Sequence, residues 1–98
     1  KGVKSVEGRL NKGDFAKMKK DDIVVWINKN GKVRTKITSV HKYKSFKNYI
    51  TTERLKNTLP DPNVKTIKQG VEDVYLKFYT KQDENKYGVL AIRLKVIG

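Results

Sequence analysis

Lys4, Glu7 and Arg9 are the residues best spaced to do chemistry, and they lie in the segment Gly-Val-Lys-Ser-Val-Glu-Gly-Arg from Gly2 to Arg9. A glycine leads into a β-prone run. In an extended strand Glu7 and Arg9 fall on one face, because side chains alternate with period two. Lys4 stands at the strand entrance, where the backbone can still turn its ammonium toward that face. Two cations and a carboxylate converging on a small volume suit an anionic or heavily hydrogen-bonding ligand, with the glutamate orienting the arginine or accepting a proton. The same spacing also serves a surface strand whose Glu and Arg pair in water at little energetic consequence. Spacing alone leaves both readings open.

Other residues extend the candidate site. Trp26 lies on the strand face opposite Ile23, Val25 and Ile27, either as a core residue with its indole N–H satisfied or as a stacking platform for a base. Tyr79 and Tyr87 flank a polar stretch, Lys81 to Lys86, read as a loop that presents their rings at a cleft rim. Lys42, Lys44 and Lys47 surround Tyr43 and Phe46, a basic run with interleaved aromatics that serves a phosphate or a solvated strand end equally well. His41 is a rim or partly buried side chain. With one histidine, no cysteine and no carboxylate pair beside the motif, neither a metal site nor another cofactor is expected.

Charge says more about partners than about fold. Across 98 residues, 23 Lys and Arg face 10 Asp and Glu, giving a net charge of +13 and a pI near 10.0. Polyanions are favoured, nucleic acid first. Nineteen of the cations are lysine, which suits phosphate attraction better than bidentate base reading. The length predicts a single domain over residues 1–98. No run is apolar enough to span a membrane and no signal-peptide pattern is present, so the expectation is an intracellular protein, cytoplasmic or nuclear, with no membrane partner. The oligomeric state is not legible. A first residue other than Met fits an excised domain.

The elements that must position these residues follow from periodicity. Lys4 to Leu10 reads as a strand, and Phe15 with Met18 as a short helical turn. Ile23 to Ile27 alternates as a strand. Asn30-Gly31 marks a tight hairpin into a long strand from Val33 to Tyr43. Ser45 caps a helix running to about Asn57, with Phe46, Tyr49 and Ile50 on its apolar face. Pro60-Asp61-Pro62 forces a loop, and Thr66 with Gln69 forms a capping box. The second helix, Ile67 to Thr80, buries Ile67, Val71, Val74, Tyr75 and Phe78. Gly88 to Ile97 closes as a strand with Leu90, Ile92, Leu94 and Val96 inward. The fold class is α+β: a strongly curved barrel or mixed sheet with two flanking helices.

Gly2-x-Lys4-x-x-Glu7-x-Arg9 resembles the signature of the ASCH domain, a small β-barrel family similar to the PUA domains of RNA-modification enzymes. The run Lys20 to Val25 resembles the family's Gly-Asp-Ile-Ile strand start, with Asp21 in the glycine position. Tyr75 to Ile92 is similar to its closing helix and strand. In the family a strand usually precedes the motif, so a chain that opens at the motif is expected to depart from the pattern there. The resemblance implies a PUA-like fold and a domain that binds RNA, single-stranded or flipped out, through a cleft formed by Lys4, Glu7 and Arg9 with Trp26, Tyr79 and Tyr87, while Lys42, Lys44 and Lys47 supply phosphate attraction. A bacterial branch deacetylates an acetylated cytidine nucleoside with a nucleophilic Thr where this chain has Glu7. The alternative is therefore a hydrolase acting on RNA or a modified nucleoside, with Lys4 and Glu7 as acid and base. A third reading is a protein-interaction module of coactivator type.

Overall fold

Alternating β-prone segments separated by tight reversals pair into one sheet, and the amphipathic segments between them cover part of it. The computed structural model describes residues 5–28, 30–59 and 63–97. Lys4 and the Pro60-Asp61-Pro62 loop lie outside the described residues. The strands are β1 (Val6–Leu10), β2 (Ile23–Asn28), β3 (Gly31–Tyr43) and β4 (Val89–Val96), in the order β1-β4-β3-β2. Every pairing is antiparallel, so the sheet is curved as expected but not mixed. It curls into a half-barrel. The guanidinium of Arg9 on one edge strand lies 5.3 Å from the ring of Trp26 on the other.

Register assigns every side chain to a face. Glu7 pairs with Ile92 and Arg9 with Leu90, so these four point into the concave side, where Ile37, Leu90 and Ile92 form an inner core with Phe15, Met18 and Val24. Val6, Leu10, Val89 and Ala91 point outward onto the helices. A bulge between Ile37 and Ser39 shifts the parity of β3, so Ile37 and then Val40 and Lys42 face inward while His41 and Tyr43 face the helices. Gly31 pairs with Asn28, so the hairpin reverses one residue earlier than the Asn30-Gly31 signal placed it.

Ser45 caps α1 (Phe46–Glu53) by accepting from the Asn48 N–H. The helix stops at Arg54, whose φ is +79°, and a separate turn, α2 (Leu55–Thr58), comes next; the single helix to Asn57 is thus two pieces. Thr66 caps α3 (Ile67–Gly70), but Gln69 reaches the Lys65 N–H instead of the cap residue's own. The long second helix is interrupted by a π-turn, Val71–Tyr75, before α4 (Leu76–Phe78). That turn adds a residue per revolution and rotates the residues after it by roughly 100°. Phe78, expected in the core, is therefore 79% exposed, and Tyr79 stacks on Phe46 in its stead. Lys81–Tyr87, expected as a loop, is a capped helix, α5, with Thr80 as its N-cap.

The helices cover only part of the outer face. Ile23, Val25 and Ile27 remain exposed beside their paired neighbours Lys36, Arg34 and Lys32, whose aliphatic stems flank them. Val96, expected inward, lies 56% exposed where β4 runs beyond the buried stretch from Val89 to Ile92.

One buried carboxylate ties the helical layer together. Glu84 of α5 accepts the Phe46 N–H at 2.7 Å and so satisfies the first orphan donor of α1. Glu84→Ala is expected to destabilise the fold by about 1–2 kcal/mol, the loss of a charged cap and burial of an unpaired amide. Denaturant unfolding checks it; a change within about 0.5 kcal/mol would mean that water replaces the cap.

Candidate functional site

The concave face brings Glu7, Arg9 and Trp26 together, as period-two alternation and the curl of the sheet require. Arg9 Nη1 lies 3.0 Å from Glu7 Oε1 and donates to the Gly8 carbonyl, also at 3.0 Å. Both side chains are half-buried, so a guanidinium without these partners would be costly there. The guanidinium carbon stands 5.4 Å from the Phe15 ring and 5.3 Å from the Trp26 ring, and the two rings stack at 6.4 Å with 10° between planes. The three centres form a nearly isosceles triangle, with the cation almost equidistant from the two rings and off the line that joins them. Trp26 Nε1 donates to Thr35 Oγ1 at 2.8 Å, and that hydroxyl donates to the Val24 carbonyl. The indole is thereby fixed in orientation.

Arg9 also borders a depression of about 350 Å³ that it shares with Leu59, Val74, Tyr75, Phe78 and Tyr79. On the other side of the aromatic pair, a groove of about 550 Å³ runs past Lys12, Phe15, Met18 and Trp26. Arg9 thus lines the first depression, and its ring neighbours Phe15 and Trp26 line the second. Tyr75 titrates late, pushed up to about 12 by burial and held back by the Tyr49 hydroxyl hydrogen bond, so it is a neutral wall of the cleft at physiological pH.

The remaining candidates scatter. Lys42 shares the inner face: it pairs with Leu90 on one side of β4 as Arg9 does on the other, so the two cations lie in one row across the sheet, about 10 Å apart by strand spacing. Lys44 is exposed beyond β3. Lys47 lies on the helical layer, lining a separate depression with Lys68 and Lys81. The basic run is thus divided between two faces. Tyr79 reaches the Arg9 depression with its ring stacked on Phe46 at 5.2 Å. Tyr87 meets the ammonium groups of Lys12 and Lys86 at 5.0 and 5.2 Å and packs on the outer core. His41 hydrogen-bonds Ser39 at 3.1 Å. Among the described residues no group of His, Cys, Asp or Glu could hold a metal ion, and no helix is long and apolar enough to cross a membrane.

Sequence reasoning missed Phe15 and Phe78 as members of this region. Phe15 carries no signal beyond its i, i+3 partner Met18, and the exposure of Phe78 depends on a π-turn that a helical stripe does not announce. It also missed the network in which Glu53 receives Arg93 and Tyr43, residues 40 and 10 positions away.

Comparison with known proteins agrees with this fold. The family model described as ASCH domain matches residues 1–98. The crystal structure of hypothetical protein PH0355 is similar with a TM-score of 0.84 and 39% identity, covering 96% of this chain and 82% of that one. The solution structure of protein PF0455 from Pyrococcus furiosus is similar with a TM-score of 0.78 and 33% identity, covering 95% of this chain and 80% of that one. None of the curated proteins matches the chain.

Proposed function

The chain belongs to the ASCH-domain family and has its PUA-like half-barrel, and on that premise we propose that it binds RNA, holding an unpaired nucleotide at the concave face beside Arg9. The observation that carries this reading is the half-buried Arg9, paired with Glu7, bordering one concavity and standing next to the Phe15–Trp26 pair that lines another. A nucleotide needs a cation for its phosphate or carbonyl edge and a flat apolar surface for its base; unstacked bases are read in this way. Phe78, exposed at the rim of the Arg9 depression, supplies a ring that no core contact explains. The net charge of +13 favours a polymer over a free nucleoside.

The experiment is a fluorescence titration of short single-stranded RNA against duplex DNA and free cytidine at several salt concentrations. Affinity for single-stranded RNA should fall log-linearly with salt. Arg9→Gln and Phe78→Ser should each weaken binding by about 1–3 kcal/mol, the scale of one charge-assisted contact or one stacked base. The triple neutralisation of Lys42, Lys44 and Lys47 should flatten the salt slope by less than three phosphates' worth, because Lys47 lies on the helical layer. Absence of RNA binding at low ionic strength would refute the reading. Acetylated cytidine consumed by the wild type but not by Glu7→Gln would favour a hydrolase instead.

A further inference from the structure

A second polar depression opens at the other end of β1, lined in part by residues of the Gly2–Arg9 segment. It measures about 400 Å³ and is lined by Ser5, Thr38, Glu53, Arg54, Asn57 and Arg93 among others. Its floor is built. The Glu53 carboxylate, 3% exposed, receives Arg93 Nε and Nη2 at 2.9 Å each and the Tyr43 hydroxyl at 2.5 Å. Burial alone would raise the Glu53 pKa, but the bonds from Arg93 and Tyr43 outweigh it, so the group stays ionised. This fork uses Nε and one N–H of Nη2 and leaves the second Nη2 N–H and both N–H groups of Nη1 as donors, on a side chain that is 42% exposed.

Arg54, which also lines the depression, adds a second cationic residue there. Its φ is +79° with ψ +141°, a region that glycine adopts freely and other residues rarely do. Arg54 nonetheless sits there, at the break between α1 and α2, with its N–H bonded to the Ile50 carbonyl at 2.8 Å. Two guanidiniums against one carboxylate leave a net positive pocket whose lining includes the hydroxyl-bearing residues Ser5, Thr38 and Thr52. A fixed, part-buried cation with an exposed neighbour and several hydroxyl groups is a binding arrangement for a tetrahedral oxyanion.

We propose that this depression binds a phosphate group. Resting on the RNA reading above, that phosphate belongs to the same strand whose base occupies the Arg9 depression. Ser5 and Arg9 are four residues apart on an extended segment, about 13 Å, and the α2 region borders both ends, with Asn57 at one and Leu59 at the other. A short oligonucleotide laid along β1 reaches both.

The test is a titration of the ¹⁵N-labelled chain with inorganic phosphate, read by amide chemical shifts and Arg side-chain resonances. Saturable shifts are expected at Ser5, Arg54, Asn57 and the Arg93 side chain. Arg54→Gly keeps the backbone conformation and should weaken this binding about tenfold or more, the loss of one charge-assisted hydrogen bond. Shifts spread over the lysines without saturation, or a site that survives Arg54→Gly at full affinity, would overturn the proposal. RNA binding without a localised phosphate site overturns this inference alone. A phosphate site in a chain that binds no RNA overturns the proposed function and the shared-strand placement, while the anion site stands.

Discussion

Arg93→Ala is expected to lower the unfolding free energy at about pH 7 by roughly 2–3 kcal/mol, a large share of the 5–15 kcal/mol typical of a domain. The variant leaves Glu53 buried with Tyr43 as its remaining hydrogen-bonding partner among the described residues, and a buried carboxylate without its cation is costly. The loss falls below that of a fully buried pair because Arg93 is partly exposed and water reaches the vacated space. The effect depends on pH with a definite sign. Glu53 has its folded pKa lowered, so its contribution is fully present above the unfolded value and disappears as pH falls through the folded one. In Arg93→Ala, burial is opposed by the Tyr43 bond and the weaker influence of His41, Glu53 takes up its proton more readily, and the gap to the wild type should narrow in acid. Urea unfolding at about pH 7 and about pH 3, with Glu53→Gln/Arg93→Ala as the double variant, measures it. An equal deficit at both pH values would mean that Arg93 acts through packing alone.

Gly8→Ala should be at least as damaging, at about 3 kcal/mol. A Cβ at this position would stand 2.5, 2.6 and 2.8 Å from Cε2, Cζ and the hydroxyl of Tyr49. Tyr49 cannot swing aside. Its ring is fully buried and held edge-on by Phe46 at 6.3 Å and Tyr75 at 5.8 Å. The strand must then move, and Glu7 and Arg9 move with it. Thermal and urea unfolding should show a lower midpoint with an unchanged denaturant slope. Tyr49→Leu, which shortens the obstructing side chain, should make the added methyl far less costly in the double variant. A loss within about 0.5 kcal/mol would show that β1 shifts without strain and that the close approach does not fix the Glu7–Arg9 pair.

Both variants test contacts that connect residues far apart in the chain, and such contacts mark the limit of what the sequence conveys. The strands, the Ser45 and Thr66 caps, and the Phe46, Tyr49 and Ile50 stripe were legible because each arises from a local period or a capping geometry. The shared face of Glu7 and Arg9 was legible for the same reason. Phe78 misled because helical spacing is a local signal, whereas the π-turn at Val71–Tyr75 changes the phase of every later residue in that helix. Lys81–Tyr87 read as a loop because its polar composition conceals a helix whose inward contact is one carboxylate, Glu84, capping another helix.

By itself, the amino-acid sequence determined the α+β class, the alternation that puts Glu7 beside Arg9, and the net positive charge. Side-chain period and net charge are properties of the chain before it folds. The tertiary structure decided what those residues meet. Curl brings the two edge strands together so that Arg9 reaches Phe15 and Trp26, and a bulge at Thr38 turns Lys42 inward while directing Tyr43 to the helices. It also joins Glu53 to Arg93 across 40 residues. The free energy of these contacts depends on distance and burial in space, and a linear sequence carries neither.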